Sequence, residues 1–578
     1  MKFYSGHKKL FLITGTLIFL VFLLGASNSA YAANVGDIVN FNVDKSFDTN
    51  SRTQISSTLV KIGSKLYFYI EKPWWDAQTP LKQAEILADL DSLSNEFDSN
   101  IYPTLSSLFG SEWNPGIDKD PRITVLFESM NVTEGGYFRE ADEYEKIQVP
   151  TSNEREMLYI SVSNVTDLNV KVLLGHEFTH LITFNQKNKI FGVEEDTWLN
   201  EARADFSSTI LGYDDNYQRS NLQQRVKDFI ENPSDSITNW SGTKYDYASV
   251  SMFAHYLADH YGVSILSSSL KSKSIGIASI NEVLLNKGAK EDFTKVFENW
   301  LITLIVNDCS DNSVYCYLNK NLVSLRVSPP LIFLPLTGNT SLSSADVTRS
   351  WAGNWQKIIG GSGNLKLDFS SLQGLNFKVP YIIYNKNGGY SVKVLELNSD
   401  QKGEINIQDF GTKYNSLVLT PFLPEKFSGL DGSDLIYPYN FTVSITGKDS
   451  ASDEDVLIQK LLAEIDSLKK QIADLLARKQ GVVNVQSPSC SQLSSDLYFG
   501  MENNNDVKCL QVFLKNQGAD IYPEGLVTGN FASLTKAAVI RFQEKYASEI
   551  LTPLGLSAST GYVGPSTRGK INQILSGV

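Results

Sequence analysis

Cysteine and histidine are both scarce in this chain: 578 residues hold four Cys and five His. The Cys fall in two close pairs, Cys309/Cys316 and Cys490/Cys509, and no CxxC spacing suggests a Cys-ligated metal site. Two local disulfides formed in an oxidising compartment, or four buried thiols, account for them. No long Lys/Arg run follows residue 9, and the net charge is −13. Nucleic acid and anionic membrane surfaces are poor partners for such a chain. Wholesale disorder is ruled out by a hydrophobic fraction of 42% against 20% charged residues. A chain this long exceeds one hydrophobic core, so three or four folded units are expected.

The N-terminus reads as an export signal, residues 1–32. Lys2, His7, Lys8 and Lys9 form a basic head, Leu10 to Leu24 an apolar run, and Ala30-Tyr31-Ala32 a small-x-small cleavage site. The other reading of the run is an uncleaved anchor, although 15 apolar residues are marginal for a bilayer. Either way the expected location is secreted or cell-wall associated.

Short alternating runs over 34–75, then "RITVLF" and "EMLYISV", predict strands. Leu81 to Leu108 and the segments 171–187, 199–211, 247–262 and 291–307 carry helical periodicity. Strands followed by helices predict an α+β domain over 33–325. Residues 340–448 hold many short β-rich runs between Gly, Asn and Asp, as in a β-sandwich, and show nothing chemical. Over 451–479 a heptad stripe places Ile458, Ile465 and Ile472 at one position and Leu461, Leu468 and Leu475 at the other. That pattern suits a coiled-coil homodimer through 458–475, or one amphipathic helix packed on a neighbour.

The chemistry concentrates in "GHEFTHLITFNQKNKIFGVEEDTWLNEARADF". In His176-Glu177-Phe178-Thr179-His180 the two imidazoles lie about 40° apart around a helix and can share one metal ion. Glu177, one step round, is the candidate general base. Two surface His on a helix would be the bland account, but these are two of the four His outside the signal segment. Hydrolytic zinc needs three protein ligands and an open position. A third His six residues on is missing, since Gln186 stands there and Thr183 replaces the Gly between. That excludes the metzincin pattern. Glu194, Glu195 and Asp196 sit in a Gly-started loop and rank below Glu201 as the remaining ligand.

Asn200-Glu201-Ala202-Arg203-Ala204-Asp205, which begins 20 residues after His180, resembles the NExxxD of thermolysin-like gluzincins. The resemblance implies a gluzincin-like fold with zinc on His176, His180 and Glu201. It further implies that Glu177 acts as base then acid, and that Asp205 accepts a hydrogen bond from His176. The "WLNEARADF" context and "SLFG…NPGIDKDPRITVLF" resemble, more loosely, hyicolysin-type secreted peptidases. By the same resemblance Tyr247 is the first choice for the oxyanion donor and Tyr245 the second, with His255 and His260 nearby. "EMLYISV" would be the edge strand on which a peptide lies. Packing or solvation is the plainer account of each of those tyrosines and histidines, and His255 has Asp259 within reach on the same helix face.

The last segment, 490–578, holds two similar halves. Through Val507, Leu510, Gln511, Phe513, Leu514, Gly529, Phe531, Thr535, Ala538, Val539, Phe542, Gln543, Gly564, Thr567 and Ile571 it resembles a peptidoglycan-binding domain of the small three-helix type. A helical prodomain of the same fold is the other reading. The expectation is a wall-tethered zinc endopeptidase acting on protein or peptide substrate. Two alternatives remain: a muralytic peptidase cutting wall cross-link peptides, or a wall-bound adhesion or scaffold protein with a vestigial metal site. Acid-rich loops such as "GIDKDPR" and "GLDGSD" permit calcium without matching EF-hand spacing.

Overall fold

A computed structural model of the chain describes residues 33–131, 135–310, 313–336, 338–425, 435–447, 492–501, 504–523, 525–556 and 558–576. The export segment 1–32, the heptad stripe with its dimer seam 458–475, and Cys490 lie outside the described residues. Two compact units divide the chain, Met1–Ala451 and Ser452–Val578. Among the described residues no helix is long and apolar enough to cross a membrane.

The first unit opens on a six-stranded mixed sheet. Its strands are β1 (Ile38–Asn42), β2 (Gln54–Ile62), β3 (Leu66–Glu71), β4 (Ile123–Glu128), β5 (Gly136–Phe138) and β6 (Met157–Ser161), in the order β1-β2-β3-β4-β6-β5. β3, β4 and β6 run parallel and every residue in them is buried, so β3, which lies within the stretch expected to alternate between buried and exposed, is instead enclosed on both faces. Side chains still alternate between faces. Phe68, Ile70, Val125, Phe127, Leu158 and Ile160 enter the large core under the helices. Tyr67, Tyr69, Leu126, Met157 and Tyr159 enter a smaller, tyrosine-rich core on the other side.

Helices cover the first face. α1 (Pro80–Glu96) starts on a Thr79 cap and is followed by a wider turn, Phe97–Ile101, and a second helix, Tyr102–Phe109, so the expected single helix over 81–108 is interrupted. Then come α2 (Val170–Phe184), α3 (Thr197–Ile210), α4 (Asn221–Glu231), α5 (Lys244–Tyr261) and α6 (Phe293–Val306). The loop after α6 is tied by the Cys309–Cys316 disulfide. Cys509 is disulfide-bonded as well.

Nine further strands follow, in two groups. One contains β8 (Thr340–Thr348), β10 (Gly363–Ser371), β13 (Lys402–Phe410) and β15 (Tyr437–Gly447). The other contains β7 (Leu331–Leu334), β9 (Gln356–Gly360), β11 (Val379–Asn385), β12 (Tyr390–Leu395) and β14 (Tyr414–Leu419). The groups meet at the Phe410–Tyr414 pair and share one core containing Leu367, Phe369, Ile383, Leu417 and Tyr439. One end of this β layer packs directly on α6. Phe297 lies 5.3 Å from both Trp351 and Phe422, and Trp355 Nε1 donates to the Leu301 carbonyl at 3.1 Å. Regions 33–325 and 340–448 therefore fall in one compact unit, because aromatic side chains fill the boundary between them.

The C-terminal unit is helical, with α7 (Asn505–Asn516), α8 (Ser533–Lys545) and α9 (Pro565–Leu575). Its two halves repeat down to single hydrogen bonds. Gln511 Oε1 accepts from Thr528 and Gly529 N–H, and its Nε2 donates to the Asn530 carbonyl and Thr535 Oγ1. In the second half Gln543 does the same with Thr560, Gly561, Tyr562 and Thr567. A buried amide with every donor and acceptor engaged fixes each turn against its helix.

Candidate metal centre

Helical periodicity places His176 and His180 on one face of α2, and α3 packs across that face. The loop between the two helices is anchored by a buried network. Arg203 NH1 donates to Glu195 Oε2 at 2.8 Å, the Gly276 amide donates to Glu195 Oε1 at 2.7 Å, and Lys187 Nζ donates to the carbonyls of Ser269, Ser272 and Ser274. Glu195 is thus committed to Arg203 and Lys187, while Glu194 is exposed. Neither joins the histidines.

Glu201 does. Its Oε2 lies 3.2 Å from His176 Nε2 and 3.4 Å from His180 Nε2, and the two Nε2 atoms are 3.2 Å apart. This is the one group of three His, Cys, Asp or Glu side chains among the described residues arranged to hold a metal ion. Tetrahedral zinc with ligand bonds near 2.0–2.1 Å spaces its ligands about 3.3 Å apart, so the three edges fit such a coordination shell. Glu201 Oε2 is also buried without a hydrogen-bond partner, as a ligand oxygen awaiting a cation would be. Burial opposes ionisation of Glu201, yet His180 and His176 hold its carboxyl far below the usual range. Burial likewise opposes the charge on His180, and Glu201 overrides it to push the imidazole up to about 9. The pocket between these side chains favours positive charge.

Glu177 is 4% exposed, and burial raises its carboxyl above the ordinary value against the pull of His176 and His180. It lies beneath β5: a Cβ placed on Gly136 would stand 3.1 Å from Glu177 Oε1 and 2.7 Å from the Tyr159 carbonyl. Glycine is what lets the strand pass this close. β5, antiparallel to β6, is the outermost strand on this side, whereas β6 is enclosed between β4 and β5. The edge strand is therefore Gly136–Phe138 and not the "EMLYISV" segment expected. Three residues of strand carry too little pattern to be legible in sequence.

Two surrounding contacts were not foreseen. His180 Nδ1 is 3.0 Å from Asn200 Oδ1, which makes Nδ1 the protonated nitrogen and turns Nε2 toward Glu201. Asp205 does not form the expected bond with His176. Its Oδ1 accepts from Arg225 Nε at 2.7 Å and from Asn221 Nδ2 at 3.0 Å, while Oδ2 is buried without a partner. Burial opposes its charge, and Arg225, followed by Asn221, Ser251 and His176, holds the carboxyl low. Arg225 arrives from α4, and no local sequence feature announces its direction.

Tyr247 stands at the start of α5 with its ring 6.3 Å from that of His176, Trp240 edge-on at 4.8 Å and Arg225 over its face at 4.9 Å. Burial, with Glu201 and Glu177 nearby, raises its hydroxyl. Tyr245 turns outward toward Glu231. His255 is buried edge-on against Phe206, and burial pushes it down to about 4. It does not pair with Asp259, which accepts from the Leu318 and Asn319 amides, and His260 faces the Cys316 carbonyl. Of the four candidates, Tyr247 alone is brought beside the histidines.

No curated protein matches this chain. Likeness to solved structures is low. The pre-peptidase C-terminal domain of a Bacillus anthracis collagenase is 13% identical, covering 20% of this chain and 96% of that one at a TM-score of 0.14. The Yersinia pseudotuberculosis-derived mitogen is 11% identical over 20% of this chain and 92% of that one, at 0.14. Neither carries an argument about function. A family model does match the C-terminal unit over residues 503–571, and the chain carries there a peptidoglycan-binding domain.

Proposed function

We propose that this chain is a wall-tethered zinc endopeptidase. The observation that carries the reading is the trio His176, His180 and Glu201, with mutual distances of 3.2 to 3.4 Å and an unpartnered carboxylate oxygen facing two imidazoles. Zinc held there supplies Lewis acidity, lowering the pKa of water and polarising a scissile carbonyl. Glu177 takes the proton from the attacking water and passes it to the departing amine nitrogen. A carboxyl raised by burial holds that proton between the two transfers better than an ordinary one. Asn200 fixes the tautomer of His180. The hydroxyl of Tyr247 donates to the oxyanion as the carbonyl carbon becomes tetrahedral. Substrate lies extended along β5, whose free edge pairs with any peptide backbone and so confers no sequence choice.

The peptidoglycan-binding domain at 503–571 favours a second reading of the substrate, the cross-link peptides of the wall. The deciding experiment uses the purified full chain. Zinc is expected at one ion per chain, with hydrolysis sensitive to chelators. Glu177→Gln should retain the zinc and lose about 10²- to 10⁴-fold in kcat. Zinc-loaded Glu177→Gln with near-wild-type turnover would overturn the mechanism, and absence of stoichiometric zinc would favour a scaffold role. Release of soluble fragments from isolated sacculi without casein cleavage would select the wall peptides.

A further inference from the structure

A second group of acids lies outside the zinc trio, in the tyrosine-rich half of the sheet and beneath the loop 110–122. Glu143, 0% exposed, closes the short helical turn Glu140–Glu143 that follows β5, and both of its carboxylate oxygens lack a hydrogen-bond partner. Glu156, 2% exposed, accepts from the Ile117 amide through Oε1 at 2.8 Å, and its Oε2 is also unpartnered. Glu112, equally buried, leaves its Oε2 bare and lines the same small cavity as Glu156 and Trp113. Bare buried carboxylate oxygens are rare, because desolvating a charge without compensation is expensive.

Nearby cations do not resolve the deficit. Arg139 is engaged with Asp142 and Thr151. Lys189 directs its ammonium to the Glu143 main-chain carbonyl at 2.7 Å and the Trp113 ring at 3.8 Å. Burial raises the carboxyls of both Glu143 and Glu156, the latter to about 7, with like charge from Asp118 adding to each. The loop is shaped around this group. Gly116 has φ +85°, and a Cβ there would stand 1.8 Å from Glu156 Oε2.

We propose that Glu143 and Glu156, under the 110–122 loop, bind a hard divalent cation of the calcium class. Oxygen-only donors without nitrogen or sulfur suit calcium better than zinc, with main-chain carbonyls and water completing the shell. Its consequence is positional. The cation ties the loop to the turn Glu140–Glu143 and so pins the exit of the edge strand β5. The inference stands apart from the peptidase reading, since its readouts are stability and luminescence.

The test uses full-length protein with its zinc content monitored throughout. Millimolar calcium should raise Tm by roughly 4–8 °C, and EGTA should reverse the rise without removing zinc. Terbium should luminesce on excitation through Trp113, be displaced by calcium, and stay dark in Glu143→Gln. Wild-type protein showing neither a calcium-dependent Tm nor terbium emission overturns the proposal. So does a Glu143→Gln variant that luminesces like wild type. If Glu143→Gln fails to fold, the wild-type measurements decide alone.

Discussion

Asn200 offers the sharpest test of how the centre is built, because its side chain meets the trio through a hydrogen bond to His180. Asn200→Ala removes one acceptor 3.0 Å from His180 Nδ1 and leaves all three proposed ligands in place. Alanine is a strong helix former, so α3 itself should be unharmed. His180 has 8% of its side chain exposed, which leaves water little room to replace the lost acceptor. A hydrogen bond from an imidazole that gains positive character is worth about 1.5–3 kcal/mol. The loss of a partner behind a metal-binding histidine lowers metal affinity about 10- to 100-fold, or about 1.4–2.7 kcal/mol. The two estimates overlap. Zinc affinity is read by competition with a chromophoric chelator, alongside a melting curve of the metal-free protein. The expected result is a Kd raised 10- to 100-fold with little change in the metal-free Tm. A Kd within twofold of wild type would refute the idea that Asn200 orients His180.

Asp205→Asn should behave in the opposite way. Its carboxylate pairs with Arg225, so the variant should lose about 3 kcal/mol of stability by denaturant titration and bind zinc almost normally; a large loss of zinc with an unchanged Tm would restore the His176 role. Tyr247→Phe should keep zinc and lose about 10²- to 10³-fold in kcat, the effect of one oxyanion donor, and a loss confined to KM would remove it from that role. Glu128 predicts a pH dependence. Burial pushes its carboxyl up to about 8, while Tyr137 Oη donates to its Oε1 at 2.8 Å. The folded state therefore keeps a proton that the unfolded chain releases near 4.5, and stability falls as pH rises from about 4.5 to 8. The slope is about 1.4 kcal/mol per pH unit for one such group. Glu128→Gln should flatten that decline in urea titrations, and an unchanged slope would show that the proton sits elsewhere.

What the amino-acid sequence determined by itself is whatever depends on short-range periodicity. The i,i+4 spacing puts His176 and His180 on one face of a helix whatever else the chain does. The buried strands β4 and β6 are legible as compact strand segments, and the repeat of Gln511 at Gln543 shows in the two similar halves. Glu201 was reached through motif resemblance, and the structure brings its carboxylate to the imidazoles. Only the tertiary structure decided the rest, because each remaining feature joins residues far apart in sequence. Arg225 captures Asp205 from another helix, and β5 rather than β6 forms the edge because sheet order is set by packing. The β layer closes on α6 through Trp351 and Phe422, and Glu156 is enclosed only once loop 110–122 folds over it. Local dihedral preference and helix period are written in neighbouring residues, while burial, charge compensation and strand order arise when distant segments exclude water together.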